Sequence, residues 1–108
     1  MQKSIKIAAV QMDAAPASAR VRLTRAELLA ERAARAGADL VVLPEVFNTG
    51  YIYSSSNYSS AESFQGATVA WMRDTTSRLG IHLADSLMLF ENGQILNALL
   101  LFAPDGMY

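Results

Sequence analysis

Leu40-Val41-Val42-Leu43 is an uninterrupted apolar run, β-branched at its centre and held between Gly37 and Pro44. A run this short and this apolar reads as a strand covered on both faces, which belongs inside a parallel sheet. The residues before it decide the topology. Residues 4–12 alternate, with Ile5, Ile7 and Ala9 on one face and Ala8, Val10 and Met12 on the other, a first strand that Asp13 and Pro16 end. Between the two strands, Arg20 to Ala36 has helical periodicity. Leu23, Ala26, Leu29, Ala30, Ala33 and Ala36 share one side, and Arg25, Glu27, Glu31, Arg32 and Arg35 the other. Gly37 supplies the left-handed residue that closes the helix. Strand, helix and strand in this order make a right-handed crossover between parallel neighbours.

Residues 48–66 form a long loop rich in Asn, Ser, Tyr and Gly, including Tyr51, Tyr53 and Tyr58. A loop of that length in a compact domain usually carries function. Ala67 to Leu79 is a second helix, with Val69, Met72, Thr76 and Leu79 inward, Trp71 packing beside them and Gly80 as terminator. Ile81 to Phe90 and Gln94 to Ala103 are strands joined at Asn92-Gly93, the strongest short hairpin signal. Pro104-Asp105-Gly106 makes one more turn. The fold class is therefore α/β with a mixed sheet, in β-α-β-loop-α-β-β order. Residues 1–108 read as one incomplete domain, because both faces of the strands are apolar and only two helices are available to cover them. A large exposed apolar surface is expected unless other polypeptide covers it.

Composition narrows the function. The chain is 52% hydrophobic and 18% charged, too apolar for a disordered segment. Nine Lys and Arg against ten Asp and Glu give a net charge of −1, so no basic surplus exists for nucleic acid. No apolar run is long enough to span a membrane, and the first residues read as a strand rather than a signal peptide. Five of the nine basic residues lie on the first helix, expected as a solvated face; Val21 and Leu28 interrupt that face and mark a contact surface. The chain has no cysteine, which removes disulfides, thiolate metal sites and a thiol nucleophile of its own. It has one histidine, His82, read as structural, and two lysines, Lys3 and Lys6. Metal-ligand spacing is absent, and Gly66 lacks the repeated glycines of a phosphate cradle.

Three polar residues stand where apolar ones would be expected or where ligands bind. Glu45 follows Leu43-Pro44 at the carboxyl end of the second strand, the favoured ligand position in an open α/β sheet. Walled by apolar residues beside the tyrosine-rich loop, it is placed to act as a general base; the competing reading is a helix cap or a structural ion pair. Asp85 falls among Ile81, Leu83, Leu87 and Leu89 and must find partners or protonate. Asn97, among Ile95, Leu99 and Leu101, is expected to satisfy nearby backbone groups.

The order of these motifs resembles the nitrilase, or carbon–nitrogen hydrolase, superfamily. The resemblance rests on Ile7-Ala8-Ala9-Val10-Gln11-Met12, on Gly37 to Glu45, and on Phe47-Asn48-Thr49-Gly50-Tyr51. Weaker matches follow in the same order at Gly66, His82-Leu83-Ala84, Asn97-Ala98-Leu99-Leu100 and Pro104-Asp105-Gly106. It implies part of an α-β-β-α sandwich that dimerises, so that a homo-oligomer is expected. It also implies cytoplasmic hydrolysis of a small amide, nitrile or N-carbamoyl compound by a Glu-Lys-Cys triad, with no cofactor and no nucleic-acid or membrane partner. Glu45 matches the family's glutamate base, and Tyr51 matches a loop that lines the pocket. The family's lysine and cysteine have no counterpart here, and Asp85 stands where the family usually has glycine. The expectation is an amino-terminal portion, inactive alone; the alternative is an interaction module that keeps the fold without the chemistry.

Overall fold

The computed structural model describes residues 4–51 and 55–108. Lys3 and Tyr53, singled out above, lie outside them. The elements run β1 (Ile7–Ala9), α1 (Ala19–Arg35), β2 (Leu40–Val42), α2 (Ser55–Ser59), α3 (Ala67–Leu79), β3 (His82–Glu91) and β4 (Gln94–Phe102). They form one four-stranded sheet in the order β1-β2-β3-β4, parallel from β1 to β3 and antiparallel between β3 and β4. This is the α/β mixed sheet that the periodicity implies. Among the described residues no helix is long and apolar enough to cross a membrane.

Local chemistry explains the boundaries. Ser18 caps α1, its hydroxyl accepting from the Val21 amide at 3.3 Å, and basic Arg32 and Arg35 sit in the last turn beside the negative end of the helix dipole. Gly37 follows with φ 94°. The β3–β4 turn places Asn92 and Gly93 at φ 52° and 74°, the pair of left-handed residues that a two-residue hairpin demands. The region expected as uninterrupted loop is partly ordered. It contains the one-and-a-half-turn α2, and Glu62 pairs with Leu89 beyond the end of short β2.

One face of the sheet is covered and the other is not. Val41, Leu83, Leu87, Leu89 and Phe102 pack with Ala26 and Ala30 of α1 and Val69 and Met72 of α3. The alanine stripe of α1 permits this close approach to the sheet. On the opposite face, Ile7 is 64% and Leu99 75% exposed, with Ile5, Phe90, Ile95 and Leu101 also open. Among the described residues, nothing packs on that second face of the strands. The two-sided covering read from β1 holds only on its Ala8, Val10 and Met12 side, which packs on the core.

Arg22 corrects the reading of α1 as uniformly solvated on its basic side. It is buried, and its guanidinium donates to the carbonyls of Phe47 (2.6 Å), Asp13 (2.7 Å) and Ala15 (3.0 Å). Burial lowers its pKa, as does the charge of Arg25, while Asp13 opposes them. Three backbone acceptors thus replace water around a charge with no carboxylate bonded to it in this set. α1 is thereby tied to both the β1–α1 loop and the segment after β2.

Candidate active site

β2 ends at Val42, and the chain turns through Leu43, Pro44 and Glu45 into a tight set of turns reaching Thr49. Val46 has φ 46°. A β-branched residue in the left-handed region costs about 1–3 kcal/mol and persists only where its surroundings over-determine it. Here they do. The Val46 amide donates to the Ser86 hydroxyl at 3.2 Å, and its carbonyl accepts from the Thr49 and Gly50 amides at 3.1 and 3.0 Å. Gly50 at φ 87° lies against the β1–α1 loop, where a Cβ would come within 2.8 Å of the Ala14 carbonyl. The turn is clamped from β3, from α1 through Arg22, and from the loop before α1.

The strained turn lifts Glu45 towards β4. Asn97 donates its side-chain amide to Glu45 Oε1 at 3.3 Å. The register fixes which face this is. Leu83, Asp85, Leu87 and Leu89 lie opposite Phe102, Leu100, Ala98 and Leu96, so Asn97, opposite Met88, belongs to the alternate, uncovered face with Leu99 and Leu101. Ser86, opposite Leu99, shares it. Glu45 is consequently exposed. The apolar walls expected around it are not built by the described residues, because that face of the sheet carries no second layer here. Asn97, expected to serve backbone groups, instead meets the carboxylate.

Tyr51 is half exposed, and its amide donates to the Ala14 carbonyl at 3.1 Å. It follows Gly50 on the same clamped segment as Glu45. His82 is exposed at the start of β3, its amide bonded to the Asp39 carbonyl at 2.9 Å. Trp71 packs on Phe47 with ring centroids 5.5 Å apart and donates to Glu27 at 3.0 Å, a packing role as expected. A cavity of about 550 Å3 between the end of β1 and α1 is lined by Met12, Leu28, Leu29 and three arginines; neither Glu45 nor Tyr51 lines it.

Two acids behave as the local environment dictates. Asp85 is buried on the helix-covered face with no hydrogen-bond partner for either oxygen among the described residues, and desolvation raises its pKa to about 8. It therefore stays protonated at neutral pH and sits away from Glu45's face. Glu62 was not singled out by sequence reasoning, yet it organises the loop. Its carboxylate accepts from the Thr68 amide (2.9 Å), the Thr68 hydroxyl and the buried Asn48 amide (3.1 Å). It caps α3 in place of Gly66, which has no side chain to do so. An acid four residues ahead of a glycine-started helix was the available signal.

Comparisons with known proteins bear on the family and the fold. The family model described as carbon-nitrogen hydrolase matches residues 6–108. An omega-amidase NIT2 from Danio rerio is 35% identical over 85 residues, 78% of this chain and 30% of that protein. A nitrilase from Pyrococcus abyssi is 28% identical over 105 residues, 94% of this chain and 40% of that protein. Among solved structures, a CN-hydrolase superfamily protein from Xanthomonas campestris, with an arsenic adduct in its active site, superposes with a TM-score of 0.87. It is 32% identical over 97% of this chain and 38% of its own. An amidase from Nesterenkonia sp. gives a TM-score of 0.80 at 26% identity over 95% and 40%. The chain thus spans 30–40% of the length of the curated relatives it matches. With the crossover, the Leu-Pro-Glu turn and the hairpin all in place, the chain belongs to the carbon–nitrogen hydrolase family.

Proposed function

We propose that this chain is the amino-terminal portion of an amide-hydrolysing member of the family, with Glu45 as its general base. The observation that carries the reading is the strained, triply clamped turn that delivers Glu45 from the carboxyl end of β2 onto the uncovered sheet face. A carboxylate held there takes the proton of a thiol brought over that face: S–H breaks, O–H forms on Glu45, and the thiolate attacks the amide carbon. The proton passes on to the leaving nitrogen as the C–N bond breaks. Water then hydrolyses the acyl-enzyme. A lysine would stabilise the oxyanion.

The chain has no cysteine, and among the described residues no lysine lies near Glu45. The only described lysine, Lys6, is occupied at the other end of β1, reaching the Ala36 carbonyl at 3.4 Å. We infer that the chain by itself is inactive and that its partner residues lie in polypeptide covering the open face. Amides are favoured over nitriles as substrates because omega-amidases, a 2-oxoglutaramate amidase and the Nesterenkonia amidase are all among the relatives. In one variant of the last, acrylamide adds to the active-site cysteine. Tyr51 lines the substrate pocket in this reading.

The test is to read the coding sequence past Tyr108 and assay the polypeptide it specifies for ammonia release from small amides. A lysine soon after the Pro104-Asp105-Gly106 turn, a cysteine further on, and turnover confined to the longer polypeptide are expected. Turnover by the 108-residue chain itself refutes the reading. A second reading, an interaction module without chemistry, draws on Val21 and Leu28, which are 42% and 58% exposed on α1. It requires a defined, concentration-independent oligomer in sedimentation, where the enzyme-portion reading expects heterogeneous association.

A further inference from the structure

We propose that Asn97 is a positioning residue for the reaction, fixing the plane of the Glu45 carboxylate so that one oxygen is left for the thiol proton. The inference rests on the reading of Glu45 as general base and adds a residue that reading does not require. Three observations meet here. The Asn97 amide donates to Glu45 Oε1 at 3.3 Å across 52 residues of sequence. On its face of β4, Asn97 is the polar exception in the series Ile95, Asn97, Leu99, Leu101, and asparagine is disfavoured in strands. The backbone beside Glu45 is held from the neighbouring strand, where the Ser86 hydroxyl accepts from the Val46 amide. β3 thus fixes where the main chain of the turn sits, and β4 fixes where its carboxylate points.

The residue type fits the task. An amide donates at every pH and carries no charge. It occupies the Oε1 lone pair and orients the group, whereas a lysine or arginine in its place would hold Glu45 as a paired anion and weaken it as a base. Oε2 is left to receive the proton. Asn97 touches neither substrate nor reacting atoms, so its effect passes through Glu45.

The bond is tested first in the longer polypeptide of the proposed function, by following the Asn97 side-chain amide signals by NMR as the pH is lowered from neutral. They are expected to move in the wild type and to stay still in Glu45→Gln. Signals that do not move in the wild type, or that move equally in both, overturn the proposal whatever the enzyme does. The second arm measures kinetics in the longer polypeptide that supplies the thiol. Asn97→Asp, nearly isosteric, and Asn97→Leu, which matches its neighbours on β4 and guards against misfolding of the first, are expected to lower kcat about ten- to a hundredfold with KM little changed. If Glu45→Gln abolishes turnover while both Asn97 variants keep wild-type kcat, positioning by Asn97 is refuted and the general base stands. If Glu45→Gln itself keeps full turnover, the base assignment is what fails, and the positioning role falls with it.

Discussion

Asp85 illustrates how one side chain sets a pH response. Its folded-state pKa is about 8, raised by burial, against an ordinary carboxyl value of about 4 in the unfolded chain. Between those values the folded chain holds a proton that the unfolded chain has lost, so stability falls as pH rises through this window. The contribution is full below about pH 4 and gone above about pH 8; the upper bound is on the order of 5 kcal/mol, a large share of a small domain's stability. Asp85→Ala removes the group. Urea midpoints for the variant and the wild type should diverge between pH 5 and pH 8 in the variant's favour and run parallel above that. Parallel behaviour throughout would show that Asp85 finds a partner. The apolar alternation of β3 made the burial of Asp85 legible in the sequence. Whether a partner existed was not, because partners come from other elements.

At the scale of elements, the joints around the Glu45 turn matter more than the strands. Arg22 links α1 to two loops through three carbonyls. Arg22→Leu keeps the apolar stem but strands those acceptors, and should cost about 3–5 kcal/mol in urea denaturation, with faster amide exchange at Thr49 and Gly50. An effect below about 1 kcal/mol would mean that water replaces the guanidinium. Two glycines give a sharper contrast. Gly50→Ala drives a methyl to 2.8 Å from the Ala14 carbonyl at φ 87°, whereas at Gly80, φ 66°, a Cβ meets nothing within 4 Å. The first should destabilise by more than about 2 kcal/mol and the second by about 1. Equal losses would show that the loop before α1 yields freely. Periodicity revealed α3 with the observed ends and the hairpin turn at Asn92-Gly93, because each depends on residues near in sequence. It concealed Arg22, since a helical wheel sorts an arginine outward by type, and its acceptors lie 7, 9 and 25 residues away. Glu62 was hidden for the same reason, and the left-handed Val46 more deeply, since valine is among the last residues expected there.

For the whole molecule, the asymmetry of the sheet decides behaviour. Exposed Ile5, Ile7, Leu99 and Leu101 on one face form a surface that water disfavours. The chain alone should associate as concentration rises and bind a hydrophobic-surface dye, and the double substitution Leu99→Lys, Leu101→Glu should reduce both in sedimentation and fluorescence. A monodisperse wild-type monomer without dye binding would contradict the open face. The position of Glu45 at the end of β2 was legible in the sequence from the apolar run and Pro44. Its exposure was not, because what covers a side chain comes from residues distant in sequence, and no described residue walls this one. The central claim is that Glu45 removes a thiol proton in amide hydrolysis, and ammonia release by the longer polypeptide, wild type against Glu45→Gln, tests it most directly. Loss of about 10²–10⁴-fold in kcat with the fold intact is the expected result, and undiminished turnover by Glu45→Gln would contradict it.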